Sequence, residues 1–235
     1  MIKSRRVLLG LSGVFVAAEV TLGVLLQVSE GRGPAIYSYA AVILACLFFV
    51  LFFERTHSYV WTQLALLLTV CADYFLVWSE EQQKLPAMVC FLGVQLAYGM
   101  RLWMEESSRG RMWQGLLRGA ISVFAMALTW MVLGENADAL ALVSMVYYAN
   151  LFSNLLCSAI RFRERWLLSV GFFLFLLCDT VIGLSMLGDY LSVAKEEWLQ
   201  RLLHPGFNLA WVFYLPSQVC LALSLLPLKI KKGNL

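Results

Sequence analysis

Long apolar runs separated by short polar breaks follow one another along the chain. Eight runs occur, at residues 7–28, 35–53, 59–78, 85–104, 115–133, 138–160, 166–188 and 207–228. Each is about 20 residues long, the helix length that crosses roughly 30 Å of hydrocarbon. The first follows a charged start like that of a signal peptide, but it is too long for a signal core and contains Glu19. We therefore predict an all-α polytopic membrane protein with eight transmembrane helices and an uncleaved first span.

The composition agrees with this pattern. The 235 residues are 61% hydrophobic and only 14% charged, which is more apolar surface than one soluble core can hide. We expect a single transmembrane domain over residues 1–235, and the composition gives no support to a nucleic-acid partner. All six cysteines fall inside apolar runs, so a disulfide framework is not expected.

The cations are unevenly divided between the two sides of the predicted bundle. The N-terminus and every second loop hold fourteen of the eighteen Lys and Arg residues, and the opposite side holds only Arg32, Lys84, Lys195 and Arg201. Because cytoplasmic loops are enriched in Lys and Arg, this split predicts that both termini are cytoplasmic. That orientation requires an even number of spans, in agreement with eight.

Two aspartates lie deep inside apolar runs. Asp73 is in the third run and Asp179 is in the seventh, and both runs are expected to cross in the same direction. A charged side chain at the centre of a membrane helix costs about 2.5 to 3.5 kcal/mol on insertion scales, so such residues indicate function. At 1.5 Å per residue they lie roughly 8 and 13 Å below the outer boundary. The two carboxylates are therefore expected to share the outer half of the membrane and to face each other.

The chain also shows signs of a duplication. Cys-x-Asp in the third run matches Cys-Asp in the seventh. Phe91 and Gln95 in the fourth run match Tyr214 and Gln218 in the eighth, with the same four-residue spacing. We predict a parallel four-plus-four repeat with halves of about 1–110 and 111–235.

Further polar side chains occupy the interiors of the predicted spans and are candidates for substrate binding. They are Glu19, Gln95, Tyr98, Tyr147, Asn150, Asn154, Tyr214 and Gln218. Spacings of three, four and seven residues place several of them on one face of their helix. Such amides and hydroxyls also hold membrane helices together without any chemistry, and this alternative stays open. For Glu19, a place in the cavity wall and a structural hydrogen bond are both open.

No Lys or Arg is expected at the depth of the buried acids, because the nearest arginines, Arg101 and Arg118, lie at the cytoplasmic ends of their predicted spans. A shared proton between the two aspartates is the expected solution. A cation held by oxygen ligands is the alternative. His57 and His204 both fall in loops, so no imidazole is available for a transition-metal site. We predict neither a metal nor a cofactor.

Residues 189–203 are too polar to span the membrane. Leu191, Trp198 and Leu202 fall on one helical face, with Glu196 and Gln200 opposite. This pattern is typical of a helix that lies in the membrane interface. It predicts either a lid over the cavity or a plain connector.

Four short motifs resemble those of the YhhN or lysoplasmalogenase family of eight-span membrane proteins. They are Ala72-Asp73-Tyr74-Phe75-Leu76, Phe91-Leu92-Gly93-Val94-Gln95-Leu96-Ala97-Tyr98, Cys178-Asp179-Thr180-Val181-Ile182 and Tyr214-Leu215-Pro216-Ser217-Gln218. They are similar, in that order, to the family's Gly-Asp-x-x-Leu, His-x-x-Tyr, Ser-Asp-x-x-Leu and Tyr-x-x-Gln. Ala72, Gln95 and Cys178 replace Gly, His and Ser, and Gln95 cannot carry a proton as His can.

The resemblance implies hydrolysis of the vinyl-ether bond of lysoplasmalogen, which releases an aldehyde and a glycerophospho-alcohol. That reaction needs a proton delivered to carbon and then water, which suits two carboxylates that divide acid and base duties. The expected partners are a lysophospholipid and bilayer lipids, in a bacterial plasma membrane. A proton-coupled carrier would also use buried carboxylates, although Gly- or Pro-broken helices near the aspartates are not expected here. An intramembrane aspartyl protease would need Gly-x-Gly-Asp and Tyr-Asp, which are absent from the sequence.

The predicted orientation can be tested with a reporter that is active only in the cytoplasm. Fused after Leu235 it should give signal, and fused at Lys84 it should give none. Signal from both positions would contradict the topology.

Overall fold

The structure is a computed structural model that describes residues 5–53, 56–79, 83–187, 203 and 205–226. Over these residues it contains helices and no strands. The helices are α1 Arg5–Val28, α2 Gly33–Phe52, α3 His57–Asp73, α4 Lys84–Met104, α5 Ser108–Leu133, α6 Ala139–Ala159, α7 Phe162–Leu187 and α8 Leu209–Ala222, with a π-helical segment Tyr74–Trp78 after α3 and a 3₁₀ turn Gly134–Asn136 after α5. The all-α prediction is confirmed.

Every predicted span corresponds to a helix. Seven are long and apolar enough to cross a membrane. The eighth, α8, has 14 residues within the described part of the chain, or about 21 Å at 1.5 Å per residue. It is shorter than the predicted span 207–228, because Asn208 is extended and the helix ends at Ala222. The predicted interfacial helix at 189–203 lies outside the described residues except for Leu203.

Local capping sets where several helices begin. The Thr56 side chain accepts a hydrogen bond from Tyr59 N at 3.1 Å at the start of α3, and Asp138 accepts from Ala141 N at 2.8 Å at the start of α6. Ser107 caps α5 in the same way, through Gly110 N. These caps satisfy amides that the first helical turn leaves unpaired. Because of the Ser107 cap, α5 begins seven residues before the predicted 115, and Arg118 lies well inside it.

Six helices form a closed ring, with neighbours in the order α2, α3, α4, α6, α7 and α8, and α8 contacts α2. The other two lie outside this ring. Helix α1 packs against α2 and α8, whereas α5 packs against α6 and α4. The outward faces are apolar, as shown by Val14, Phe124 and Met131, which are 67%, 68% and 76% exposed. Lipid is the environment that suits such a surface.

The two halves of the chain use the same packing scheme. The first half contributes α2, α3 and α4 to the ring and places α1 outside, and the second half contributes α6, α7 and α8 and places α5 outside. The outer helix of each half touches the last ring helix of the other half. This arrangement agrees with the predicted repeat, which stays a prediction together with the orientation of the termini.

A buried charge cluster closes one end of the bundle. The guanidinium of Arg101, which is 3% exposed, donates to Thr62 Oγ1 at 3.0 Å and to Ser224 Oγ at 2.6 Å. It also pairs with Glu105 at 3.3 Å, and Arg165 of α7 reaches the same carboxylate at 3.1 Å. The cluster therefore ties together α3, α4, α7 and the turn that follows α8.

We predict that Arg101→Met lowers the free energy of unfolding by about 3 kcal/mol, because breaking a buried ion pair leaves the remaining charge buried without a partner. Equilibrium unfolding of the purified protein in detergent measures this loss. Arg111→Met removes the same charge from an exposed position and should change the stability by less than about 0.5 kcal/mol. Equal effects of the two substitutions would contradict the structural role of the cluster.

Candidate active site

Asp73 lies at the end of α3 with its carboxylate directed into the ring. It is 2% exposed. The hydroxyl of Tyr214, from α8, donates to its Oδ2 at 2.7 Å. Tyr214 is itself 4% exposed. A carboxylate and its donor are thus held together by two helices that are far apart in sequence.

Asp179 has a tyrosine partner of its own. It lies on α7, and the hydroxyl of Tyr147, from α6, donates to its Oδ2 in a short hydrogen bond. Tyr147 is 3% exposed, whereas Asp179 is only half-buried. The next residues along each helix also pair, with Tyr148 and Thr180 hydroxyl oxygens 2.8 Å apart. Asp179 is therefore the more exposed of the two aspartates.

The two Tyr–Asp pairs belong to one cluster. Asp73 lies close enough to both Asp179 and Tyr147 to interact with them electrostatically. The ring of Phe175 lies between the two tyrosines, with its centroid 5.4 Å from that of Tyr214 and 6.5 Å from that of Tyr147. The structure thus brings together the aspartates that the sequence analysis singled out. Their chemical roles stay predictions.

The backbone changes form immediately after Asp73. Residues Tyr74–Trp78 are π-helical, and Ser79 N bonds to Tyr74 O five residues earlier at 2.8 Å. π-Helical turns are rare and occur often at functional sites, where the extra residue re-aims a side chain. No feature of the sequence pattern predicted this segment.

A second polar chain joins α4, α5 and α6. Arg118 donates to Asn154 Oδ1 at 2.6 Å, and Asn154 Nδ2 donates to both the backbone oxygen and Oε1 of Gln95 at 2.9 Å. Asn154 and Gln95 are fully buried. The expectation that Arg118 lies at the end of its helix is wrong, because α5 begins at Ser108 and Arg118 lies ten residues inside it.

The other predicted site residues have different surroundings. Asn150 turns back on its own helix and donates to Val146 O at 2.8 Å. Gln218 makes one long hydrogen bond, to Ser217 Oγ at 3.4 Å. The Tyr98 hydroxyl has no partner within the described residues and its ring meets Phe172 edge-on at 5.3 Å. Within the described residues, none of these three side chains forms a hydrogen bond with either aspartate.

Glu19 lies on the outer helix α1, where it is 3% exposed. Gln27 bonds to the backbone of Asn208, and Gly23 faces Leu215, so α1 and α8 run past each other in opposite directions. Glu19 lies one turn before Gly23 on α1, and Gln218 lies three residues after Leu215 on α8. In the Glu19 and Gln218 side chains Oε1 is buried without a partner in the described structure.

The residues that the structure describes offer no group of three or more His, Cys, Asp or Glu side chains that could hold a metal ion. His57 is the first residue of α3, and His204 lies outside the described residues. All six cysteines are unpaired thiols. The polar chemistry of the ring therefore depends on carboxyl, hydroxyl, amide and guanidinium groups.

A bundle of apolar helices around two carboxylates defines a multi-pass membrane protein with an intramembrane aspartate pair. The chain belongs to the YhhN family, whose family model matches residues 34–225. This match covers the six helices of the ring except for Gly33, the first residue of α2. No curated protein and no solved structure matches the chain.

We predict that Tyr214→Phe lowers the free energy of unfolding by about 2 kcal/mol, because a hydrogen bond to a buried carboxylate contributes about 1.5 to 3 kcal/mol. Tyr148→Phe is the matched control, since it removes a hydroxyl that pairs with the neutral Thr180 and should cost about 1 kcal/mol. Unfolding in detergent measures both. A smaller loss for Tyr214→Phe than for Tyr148→Phe would contradict a stabilised carboxylate at Asp73.

Proposed function

We propose that this protein is a membrane-embedded hydrolase that cleaves the vinyl-ether bond of lysoplasmalogen-type lysophospholipids, with the bacterial plasma membrane as its location. The observation that carries the proposal is the pair of aspartates, each bonded to a tyrosine hydroxyl, inside a ring of apolar helices. Neither forms an ion pair with a Lys or Arg of the described residues. Membership of the YhhN family supports a lysoplasmalogenase-type activity at the level of the family.

The reaction adds one water molecule across the vinyl ether. A carboxylic acid transfers its proton to the double-bond carbon that is not attached to oxygen, and this leaves an oxocarbenium ion at the other carbon of the double bond, which carries the ether oxygen. Water adds to that carbon and loses a proton to the carboxylate, which regenerates the acid. The resulting hemiacetal breaks into a fatty aldehyde and a glycerophospho-alcohol. Glycosidases use two carboxylates to form and stabilise a similar oxocarbenium-like species.

The different exposure of the two aspartates suggests a division of roles. Asp179 is half-buried and accessible, so it is assigned the proton transfer to carbon and the recovery of the proton from water. Asp73 is buried and accepts the Tyr214 hydroxyl, so it is assigned the negative charge that stabilises the oxocarbenium ion. Charge fixed in a site without bulk water stabilises a developing cation strongly.

The apolar ring suits the rest of the substrate. The Phe91, Phe175 and Tyr147 rings lie within 6.5 Å of one another beside Asp179, and they offer an apolar wall to the alkenyl chain. Buried amides of Gln95 and Gln218 supply hydrogen-bonding groups for water and the glycerol hydroxyl. These assignments belong to the proposed function.

A proton-coupled carrier is the second candidate, and one observation favours it. Two helices depart from regular α-helical form beside the aspartate cluster: α3 continues into the π-helical segment after Asp73, and α8 contains Pro216, two residues after Tyr214. Interrupted helices form the binding sites of many transporters.

We predict that Asp73→Asn and Asp179→Asn each reduce aldehyde release from a 1-alkenyl lysophospholipid by about 10²- to 10⁴-fold, the range of general acid–base groups. An amide keeps the shape of the side chain but neither delivers a proton nor carries the charge. The measurement is aldehyde release by the purified protein, with size-exclusion profiles to show that the variants remain folded. Asp138→Asn, at the cap of α6, is the matched control and should keep full activity, since Asn also caps helices.

Full activity in both aspartate variants would remove the pair from the mechanism. A wild-type protein that releases aldehyde from no vinyl-ether lipid would refute the hydrolase. Proton-driven uptake into liposomes would then test the carrier.

A further inference from the structure

Arg118 lies inside α5, ten residues after its first residue, and its guanidinium rests on α4. A Cβ added at Gly99 would lie 2.9 Å from Arg118 Nη1, so glycine at this position makes room for the guanidinium. The residue is half-buried, and part of it stays accessible. The guanidinium is thus held against the ring by the backbone of a neighbouring helix.

Among the residues that the structure describes, Arg118 has no acidic partner. It donates to Asn154 Oδ1 at 2.6 Å, and the thiol of Cys157 lies beside it. The other half-buried or buried arginines of the described chain, Arg101 and Arg165, are both paired with Glu105. A guanidinium within a membrane span is costly unless an anion compensates its charge. A bound anion is the natural partner of Arg118.

The amides next to Arg118 point to a ligand as well. Arginine has only donors, so Asn154 must turn its oxygen to Arg118 and its amide nitrogen to Gln95. Gln95 then accepts through Oε1, and its Nε2 becomes a donor. This donor is fully buried and has no partner within the described residues. Arg118 and Gln95 therefore offer a cation and a free N–H group within two hydrogen bonds of each other.

The distance between Arg118 and the aspartate cluster matches the length of a glycerophosphate group. Asn154 lies seven residues after Tyr147 on α6, a rise of about 10 Å. In a lysoplasmalogen, about six bonds of roughly 1.5 Å separate the vinyl carbon attached to oxygen from phosphorus, a span of about 7 Å along a zigzag chain. The lengths of the Asp179 and Arg118 side chains account for the difference between these two distances. Gln95 contacts Asn154, and Phe91, one turn earlier on α4, meets the Tyr147 ring at 5.9 Å. The Gln95 amide is thus at the level of the glycerol oxygens.

The geometry points to Arg118 as the binding site for the phosphate of the lysophospholipid, with Gln95 donating to a glycerol oxygen and the vinyl ether at Asp179. This inference rests on the proposed function. Guanidinium groups bind phosphate through paired, charge-assisted hydrogen bonds. In the predicted orientation Arg118 faces the cytoplasmic half of the membrane, so the substrate comes from the cytoplasmic leaflet with its head group toward that side.

Binding of ether lipids that cannot be hydrolysed tests this site without any need for catalysis. A 1-O-alkyl lysophospholipid keeps the phosphate but lacks the vinyl group, and a 1-O-alkylglycerol lacks the phosphate as well. Arg118→Met should bind the lysophospholipid about 10- to 100-fold more weakly than the wild type, the effect of losing a charged hydrogen-bonding partner. It should bind the alkylglycerol unchanged, which also shows that the variant is folded. Arg111→Met, on the exposed side of α5, is the matched control and should bind both lipids normally.

Arg118→Lys keeps the charge but not the paired donors, so its affinity for the lysophospholipid should fall between those of the wild type and Arg118→Met. Equal affinity of wild type and Arg118→Met for the lysophospholipid would overturn the proposal. So would Arg118-dependent binding of inorganic phosphate without Arg118-dependent binding of the lipid, since the site would then serve a free anion. If the protein hydrolyses no vinyl ether, these binding results are unaffected. The two proposals are therefore refuted by different measurements.

Discussion

The hydrogen bonds from Tyr214 to Asp73 and from Tyr147 to Asp179 are the interactions on which the centre of this bundle depends. Inside a membrane span no water is at hand to solvate a carboxyl group, and an unsatisfied one costs several kcal/mol. Each aspartate therefore needs a donor from another helix. The first bond joins α3 to α8 and the second joins α6 to α7, so the groups proposed for catalysis also hold the ring together.

The need of each buried charged group for a partner also explains where the other polar side chains lie. At one end of the ring, Arg101 and Arg165 are paired with Glu105, and Arg165 is also paired with Glu106, so two carboxylates compensate the two guanidinium groups. Nearer the aspartates, the partners of Arg118 in the described part of the chain are an amide and a thiol. The first arrangement is complete without a ligand and is suited to a structural role. The second leaves a positive charge and a free Gln95 donor, and for that reason it can take part in recognition.

The eight helices that the structure describes form a ring of six and two outer supports. Helices α1 and α5 expose apolar side chains outward and pack on the ring with one face, while the ring helices carry the aspartates, the tyrosines and the buried amides. Glu19 is the exception, since it is a buried carboxyl group on the outer helix α1. The π-helical segment Tyr74–Trp78 follows Asp73 directly, and Pro216 lies two residues after Tyr214 inside α8, so both departures from regular α-helix are next to members of the cluster.

Most of the architecture follows from the sequence because it depends on local properties. Apolar runs of about 20 residues specify membrane helices, and a carboxylate within such a run is conspicuous, so the spans and the importance of Asp73 and Asp179 could be predicted. Tyr147 and Tyr214 stood out as polar residues in the same way. Their specific pairing could not be predicted, because it joins residues 32 and 141 positions apart. The early start of α5 depended on a single cap at Ser107, and it carried Arg118 to Asn154 and Gln95. Which polar side chains meet is a property of how the helices pack, and only the tertiary structure decides it.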